Sequence, residues 1–324
     1  MKILIIGAAG MIGAKLAQSF AADPEPGLTE VTLVDVVEPK APEGAVKMRT
    51  GTLDITDAAA VQAVLAAKPE VIYHLSAIVS GEAEMDFDKG YAVNFRGMLN
   101  ILEAIRAQKD YHPKLIFASS IAVYGAPFPD TIPDDFFLTP LTSYGTQKAM
   151  GELLLADYSR KGIVDGIGIR LPTICIRPGL PNKAASGFFS NILREPLVGK
   201  EAILPVSEDV RHWHASPRSA IGFFRHALRL DTAKVGPRRS LAMPGLSATV
   251  GEQIEALRRA AGDEAVALIR KVPDPMIQGI VAGWATRFDP SRALDLGFTA
   301  DASFDDIIAA HVADELGGRI GPRA

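Results

Sequence analysis

The chain has 324 residues, 48% hydrophobic and 22% charged, with a formal net charge of −4. This is the composition of a globular protein large enough for one big domain, or a domain with a lobe, and a full core. The acidic balance argues against a nucleic-acid or anionic-membrane surface, and the short basic pair Arg238–Arg239 does not overturn that.

The opening MKILIIGAAG leaves too short an apolar run before its glycines for a signal peptide, and no stretch approaches a membrane span. The single cysteine, Cys175, excludes an internal disulfide and suits a reducing compartment. It lies in the strand-like run RLPTICIR, so a buried, inert thiol is expected. These features predict a cytoplasmic protein.

In chain order, KILIIG reads as a strand, followed by a helix to about Phe20, a strand in VTLVDV, a helix over 58–67 and a strand in VIYHLSA. A helix through NFRGMLNILEAIRAQ, a strand in KLIFASS, a helix carrying Tyr144 and a strand in GIGIRLPTI continue the alternation. Strands alternating with helices predict parallel βαβ units and a doubly wound α/β fold of the Rossmann type. Prolines and glycines become frequent after Pro172. Residues 1–171 are therefore read as a dinucleotide-binding domain and 172–324 mainly as a smaller C-terminal substrate-binding lobe, with segments near 210–243 returning to the sheet.

GAAGMIG places Gly7, Gly10 and Gly13 between the first strand and the first helix. Glycines there let the turn tighten and the backbone approach a pyrophosphate, while the helix N-terminus faces the anion. A glycine triplet alone could be an ordinary turn, but this one sits at the first strand–helix junction of a βαβ series. Asp35 follows at the end of the second strand, 22 residues after Gly13. A carboxylate there accepts both ribose hydroxyls and repels a 2′-phosphate, which favours NAD over NADP.

In SYGTQK, Tyr144 and Lys148 are four apart and share one face if the segment is helical, with Thr139 as N-cap and Pro140 as the first helical residue. An alcohol oxidised by nicotinamide must also lose a proton, and a free tyrosine, with a pKa near 10, is a poor base at neutral pH. An ammonium one turn away and the positive oxidised nicotinamide would stabilise the phenolate. Tyr144 is thus the candidate proton acceptor and Lys148 its partner.

The glycine spacing with Y-x-x-x-K resembles the extended short-chain dehydrogenase/reductase family over nearly the whole chain. LDITD, HLSA, VNFRG and SSIAVYG match further signatures. The resemblance implies a cofactor site of Gly7, Gly10, Met11, Ile12, Gly13, Asp35, Asp54, Ile55, Leu75, Ser76, Ala77, Asn94, Ser119, Tyr144, Lys148, Leu171 and Thr173. It implies a catalytic set of Ser120, Tyr144, Lys148 and Asn94, with Ser119 the fallback for Ser120 and Asn94 positioning the lysine. His74 and His112 are read as packed or surface histidines. The family often forms homodimers through two helices, here those following Asn94 and Tyr144, and no metal is expected.

RHWHASPRSA occupies the place of a segment that binds diphosphate in nucleotide-sugar relatives, with Arg211 and His214 at matching positions and His212 replacing an aspartate. Other stretches, among them AIVSGEAEMDFDKGYAVN and LPTICIRPGLPNKAASGFF, resemble a narrower group that oxidises C2 of a four-carbon sugar acid with NAD. That likeness places Ser80, Ser120, Tyr144, Asn182 and Arg211 against the substrate, with Arg211 or Lys183 on its carboxylate. A nucleotide-sugar epimerase or dehydratase is the alternative, weakened by His212 and by Ile121 and Ala122 where related dehydratases carry an acidic pair. A non-catalytic dinucleotide sensor is the third reading, and it would have no need of Tyr144, Lys148 and Ser120.

Overall fold

The computed structural model describes residues 1–179 and 185–321. Seven strands form one sheet, in the spatial order Ser240–Ala242, Asp165–Leu171, Lys114–Ser120, Val71–His74, Lys2–Ile6, Glu30–Asp35 and Lys47–Thr52. Every neighbouring pair is parallel. The chain winds outward from Lys2–Ile6 in one direction, then restarts on that strand's other side with Val71–His74. The doubly wound expectation is met. At this reversal the loops leaving two adjacent strands diverge and open a crevice at their carboxyl ends.

A parallel sheet needs cover on both faces. The first strand supplies it by alternation, because successive side chains point to opposite faces. Ile3 and Ile5 pack with Leu16, Phe20, Phe223 and Phe224, whereas Leu4 and Ile6 pack with Val61, Met98, Ile101 and Leu155. Helices Met11–Ala22 and Pro217–Arg229 therefore cover one face. Helices Ala58–Leu65, Gly97–Arg106 and Ser143–Arg160 cover the other.

A further cluster, including Phe189, Ile192, Leu257 and Ile307, forms a smaller lobe from helices Gly187–Arg194, Val250–Val266 and Phe304–Glu315. Strand Ser240–Ala242 joins the edge of the main sheet beside Asp165–Leu171. Strand Arg211–Ala215 does not. It pairs with Thr173–Ile174 and Leu246–Thr249 in a separate three-stranded sheet, and its alternate residues His212 and His214 both lie against Phe189 of the lobe. Among the described residues no helix is long and apolar enough to cross a membrane.

The Tyr144 helix is tied to the sheet by a buried ion pair. Arg170 and Glu152 meet at 2.8 Å with side chains 8% and 3% exposed. Ser119 donates to the same carboxylate at 2.5 Å, and Arg170 also donates to the Tyr124 hydroxyl at 2.5 Å. Among the described residues, Glu152→Ala would leave Arg170 with Asp134 as its only carboxylate, at 3.8 Å. Removing one partner of a buried pair typically costs about 3–5 kcal/mol. The variant should show a correspondingly lower urea midpoint in equilibrium unfolding, and a loss below about 1 kcal/mol would contradict a structural role for the pair.

Candidate active site

Gly7 leaves the first strand at φ +92°, a conformation that side-chain-bearing residues rarely adopt. A Cβ there would lie 2.4 Å from the Ser76 nitrogen, because the loop leaving Val71–His74 passes directly against it. A Cβ on Gly13 would lie 2.2 Å from the Gly7 carbonyl oxygen. Helix Met11–Ala22 starts from Gly10 without a side-chain cap, so its first N–H groups are left for a ligand. A floor without side chains, beneath uncapped donors and a positive dipole end, fits the pyrophosphate of a dinucleotide.

Asp35 accepts from the backbone nitrogens of Ala9 at 3.0 Å and Val36 at 2.7 Å. It therefore braces the glycine loop, and a carboxylate retains lone pairs for two further hydroxyls. Leu53 donates to the Asp35 carbonyl at 2.7 Å, which brings the LDITD segment alongside. Asp54 caps its own turn by accepting from Thr56, and Ile55 is buried against Gly97.

From the glycine loop a continuous cavity of about 510 Å³ runs along the carboxyl ends of the strands. Gly7, Gly10, Met11, Ile12, Gly13, Leu75, Ala77, Ser80, Ser119, Ser120, Tyr144, Lys148, Leu171 and Thr173 line it. Asp35, Asp54, Ile55, Ser76, Asn94 and Arg211 do not. Asn182 and Lys183 lie outside the described residues.

The helix carrying Tyr144 begins at Ser143, later than the sequence suggested. Thr142 is the N-cap and its hydroxyl accepts from the Gly145 nitrogen at 3.1 Å, whereas the Thr139 hydroxyl is spent on the Gly125 carbonyl. Gly145 makes the site possible. A Cβ there would lie 2.1 Å from the Ala122 carbonyl oxygen, so only glycine lets the first turn pack against the residues just after Ser120. Tyr144 and Ser120 are thereby brought together in the lining of one cavity. Lys148 Nζ lies 5.6 Å from the Tyr144 ring centroid, donates to the Ala118 carbonyl at 2.7 Å and sits 4.8 Å from the Phe117 ring centroid.

Burial pushes the Tyr144 pKa up to about 12, and the hydrogen bond with Ser120 opposes it only in part. Burial also pulls Lys148 down to about 7, with Glu152 opposing. With protein groups alone the phenol is therefore no preformed base.

Asn94 sits in a π-helical turn, Tyr91–Arg96, and is buried. Its side chain bonds both polar groups of the Ile78 backbone, at 2.8 and 3.0 Å, and donates to Gln147 at 2.7 Å. Gln147 is the chain neighbour of Lys148. Ser119, committed to Glu152, is a poor alternative to Ser120. Ser76 bonds the His74 ring at 3.2 Å. His74 is buried and held to about 3 by burial and by Lys148, while His112 is exposed. Cys175 is buried, with its pKa pushed up to about 12 chiefly by burial.

Arg211 is displaced from its expected place. Its guanidinium donates to the Ser247 carbonyl at 2.8 Å and pairs with Glu252 at 3.3 Å, because strand alternation turns His212 rather than Arg211 towards the cavity. His212 Nδ1 faces the Ala285 carbonyl at 3.0 Å and so must carry the proton, leaving Nε2 to accept from Thr173 at 2.7 Å. Burial holds that ring neutral, with a pKa of about 4. Residues unmarked by any local pattern, Arg177, Arg194 and Trp284, also line the cavity.

The model of the NAD-dependent epimerase/dehydratase family matches residues 3–215. The chain belongs to this family. It is 43% identical over 318 residues to D-erythronate dehydrogenase of Haemophilus influenzae, covering 98% of this chain and all of that protein. It is 42% identical to D-erythronate dehydrogenase of Cupriavidus necator, covering 97% and 98%. Among solved structures, one described as a nucleoside-diphosphate-sugar epimerase from Agrobacterium tumefaciens superposes with a TM-score of 0.95 at 59% identity, covering 98% of this chain and 95% of that one. An L-threonine dehydrogenase from Cupriavidus necator superposes at 0.83 with 26% identity, covering 97% and 99%.

Family membership and the named dehydrogenase relatives make the protein a dehydrogenase that uses a nicotinamide dinucleotide. The buried amine of this family member has a measurable signature. Lys148 titrates near 7 when folded, against 10.5 when free. Between those values the unfolded chain binds more protons, so this group favours folding increasingly as pH rises through that window. Urea unfolding at pH 7.5 and 9.5 should show a rise in stability for the wild type that shrinks in Lys148→Met. An equal rise in both would contradict a weakly basic, buried amine.

Proposed function

We propose that the protein oxidises the C2 hydroxyl of D-erythronate to 2-dehydro-D-erythronate, with NAD as the acceptor. The observation that carries this reading is the meeting of Tyr144, Ser120 and Lys148 in one cavity that continues to the glycine loop. The two D-erythronate dehydrogenases, matched over 100% and 98% of their lengths, support the choice of substrate.

Bound NAD supplies the two-electron acceptor for the C2–H bond and, in its oxidised form, a positive ring charge. Ser120 orients the substrate oxygen by hydrogen bonding. Tyr144, as phenolate, takes the hydroxyl proton while the C2–O bond becomes a carbonyl. Lys148 in its charged form stabilises that phenolate, and its bond to the Ala118 carbonyl holds it in place. The apolar surroundings that raise the phenol's pKa also make each of these charge interactions stronger than in water.

The epimerase description of the Agrobacterium structure favours a second reading, action on a nucleotide sugar. The two readings part on product. Oxidation of the acid accumulates NADH, whereas epimerisation returns the cofactor to its starting state.

Wild-type enzyme with D-erythronate should therefore accumulate NADH, and Tyr144→Phe should lose about 100-fold or more of that rate while binding NAD within a few-fold of wild type. Substantial turnover by Tyr144→Phe would refute the assigned proton acceptor, and inert wild type would refute the substrate. Asp35 would face the 2′-phosphate of NADP, and like charges about 4 Å apart cost on the order of 1–4 kcal/mol. A kcat/KM ratio favouring NAD by roughly one to three decades is expected, and parity between the cofactors would contradict it.

A further inference from the structure

We propose that Arg177 binds the substrate carboxylate and sets the preference for an acid over a neutral polyol. The inference rests on the sugar-acid oxidation above and names the group that recognises the anionic end.

Among the described residues, three lysine or arginine side chains line the cavity: Lys148, Arg177 and Arg194. Lys148 is committed beside the phenol. Arg194 is already neutralised, since its Nε and Nη2 donate to Glu195 at 2.9 and 2.8 Å. Arg177 differs. No acid among the described residues pairs with it, although Arg170 has Glu152 and Arg194 has Glu195. The stretches 180–184 and 322–324 add no aspartate or glutamate. The Arg177 Nη2 donates to the Ser186 hydroxyl at 3.0 Å, a neutral dipole that orients the guanidinium without cancelling its charge.

The backbone of Arg177 is fixed from both sides. Its nitrogen donates to Ser190 Oγ at 3.1 Å, and its carbonyl accepts from Arg194 Nη1 at 2.8 Å. A half-buried cation without a counterion is costly, and a bound anion removes that cost. Burial holds the Arg177 pKa below the usual guanidinium range, with Cys175 opposing and Arg194 reinforcing. The planar guanidinium fork matches a carboxylate in bidentate geometry. Tyr144, Ser120 and Arg177 line one continuous cavity, so one small acid can offer its hydroxyl to the first two and its carboxylate to the third.

The test compares wild type, Arg177→Gln and Arg177→Lys for kcat/KM with D-erythronate and with erythritol, and for Kd of NADH and of D-glycerate on the NADH complex. Arg177→Gln should lose about 30-fold or more with D-erythronate, chiefly in KM, and little with erythritol, so that the acid preference narrows. NADH affinity should stay within a few-fold, and Arg177→Lys should recover part of the loss. Equal losses with acid and polyol, or impaired NADH binding, would indicate a structural role and overturn the proposal. Unchanged D-erythronate kinetics in Arg177→Gln would overturn the clamp while leaving the reaction intact. Wild type inert towards D-erythronate, yet binding D-glycerate only when Arg177 is present, would overturn the substrate and uphold the clamp. D-Glycerate binding that is indifferent to Arg177 would overturn it.

Discussion

The site depends on a polar stripe buried on one helix. Tyr144, Lys148 and Glu152 recur at intervals of four along Ser143–Arg160, and Lys148 and Glu152 are each less than 5% exposed. Such a stripe is unfavourable unless every member is paired. The sheet supplies the partners: the Ala118 carbonyl for Lys148, Arg170 and Ser119 for Glu152, and Ser120 for the phenol. The helix therefore has one seat on the sheet. That seat fixes the phenol over the carboxyl ends of the strands, where the winding reversal opens the crevice.

The same constraint divides the labour between the two parts of the molecule. The sheet side carries the glycine loop, Asp35 and the Tyr144 helix, all held by backbone or buried polar contacts. The opposite wall comes from the lobe, through Arg177, Asn191, His212 and Trp284. The histidines of strand Arg211–Ala215 are neutral for a common reason, burial, which lowers His212 to about 4 and holds His214 well below the usual imidazole range. His212 contributes shape and a hydrogen bond to this wall, and Arg177 contributes its unneutralised charge.

The sequence made the fold class legible because continuous apolar strands such as KILII and VIYH alternate with amphipathic helices, and the structure has the doubly wound sheet they imply. Tyr144, Lys148 and Ser120 were visible because helical and strand-end spacing is local. The helix start was misread because Thr139 and Thr142 both fit the N-cap pattern, and only the tertiary bond from Thr139 to Gly125 separates them. The packing role of Gly145 and the pairing of Glu152 carry no local pattern, although Glu152 continues the four-residue stripe. Arg211 was chosen from its place in a motif, but the strand's face, which decides where a side chain points, depends on pairing with Leu246–Thr249. Arg177 and Trp284 carry no local signal, because they reach the cavity from distant loops of the lobe.

The central claim is that the C2 hydrogen of a small acid leaves for good, with Tyr144 taking the proton. A single turnover of D-erythronate deuterated at C2, followed by mass analysis of the cofactor and the acid, tests it most directly. The account predicts deuterium in the NADH and an unlabelled 2-keto acid in equal amount. Deuterium retained in, or returned to, a hydroxy acid without net NADH would contradict it.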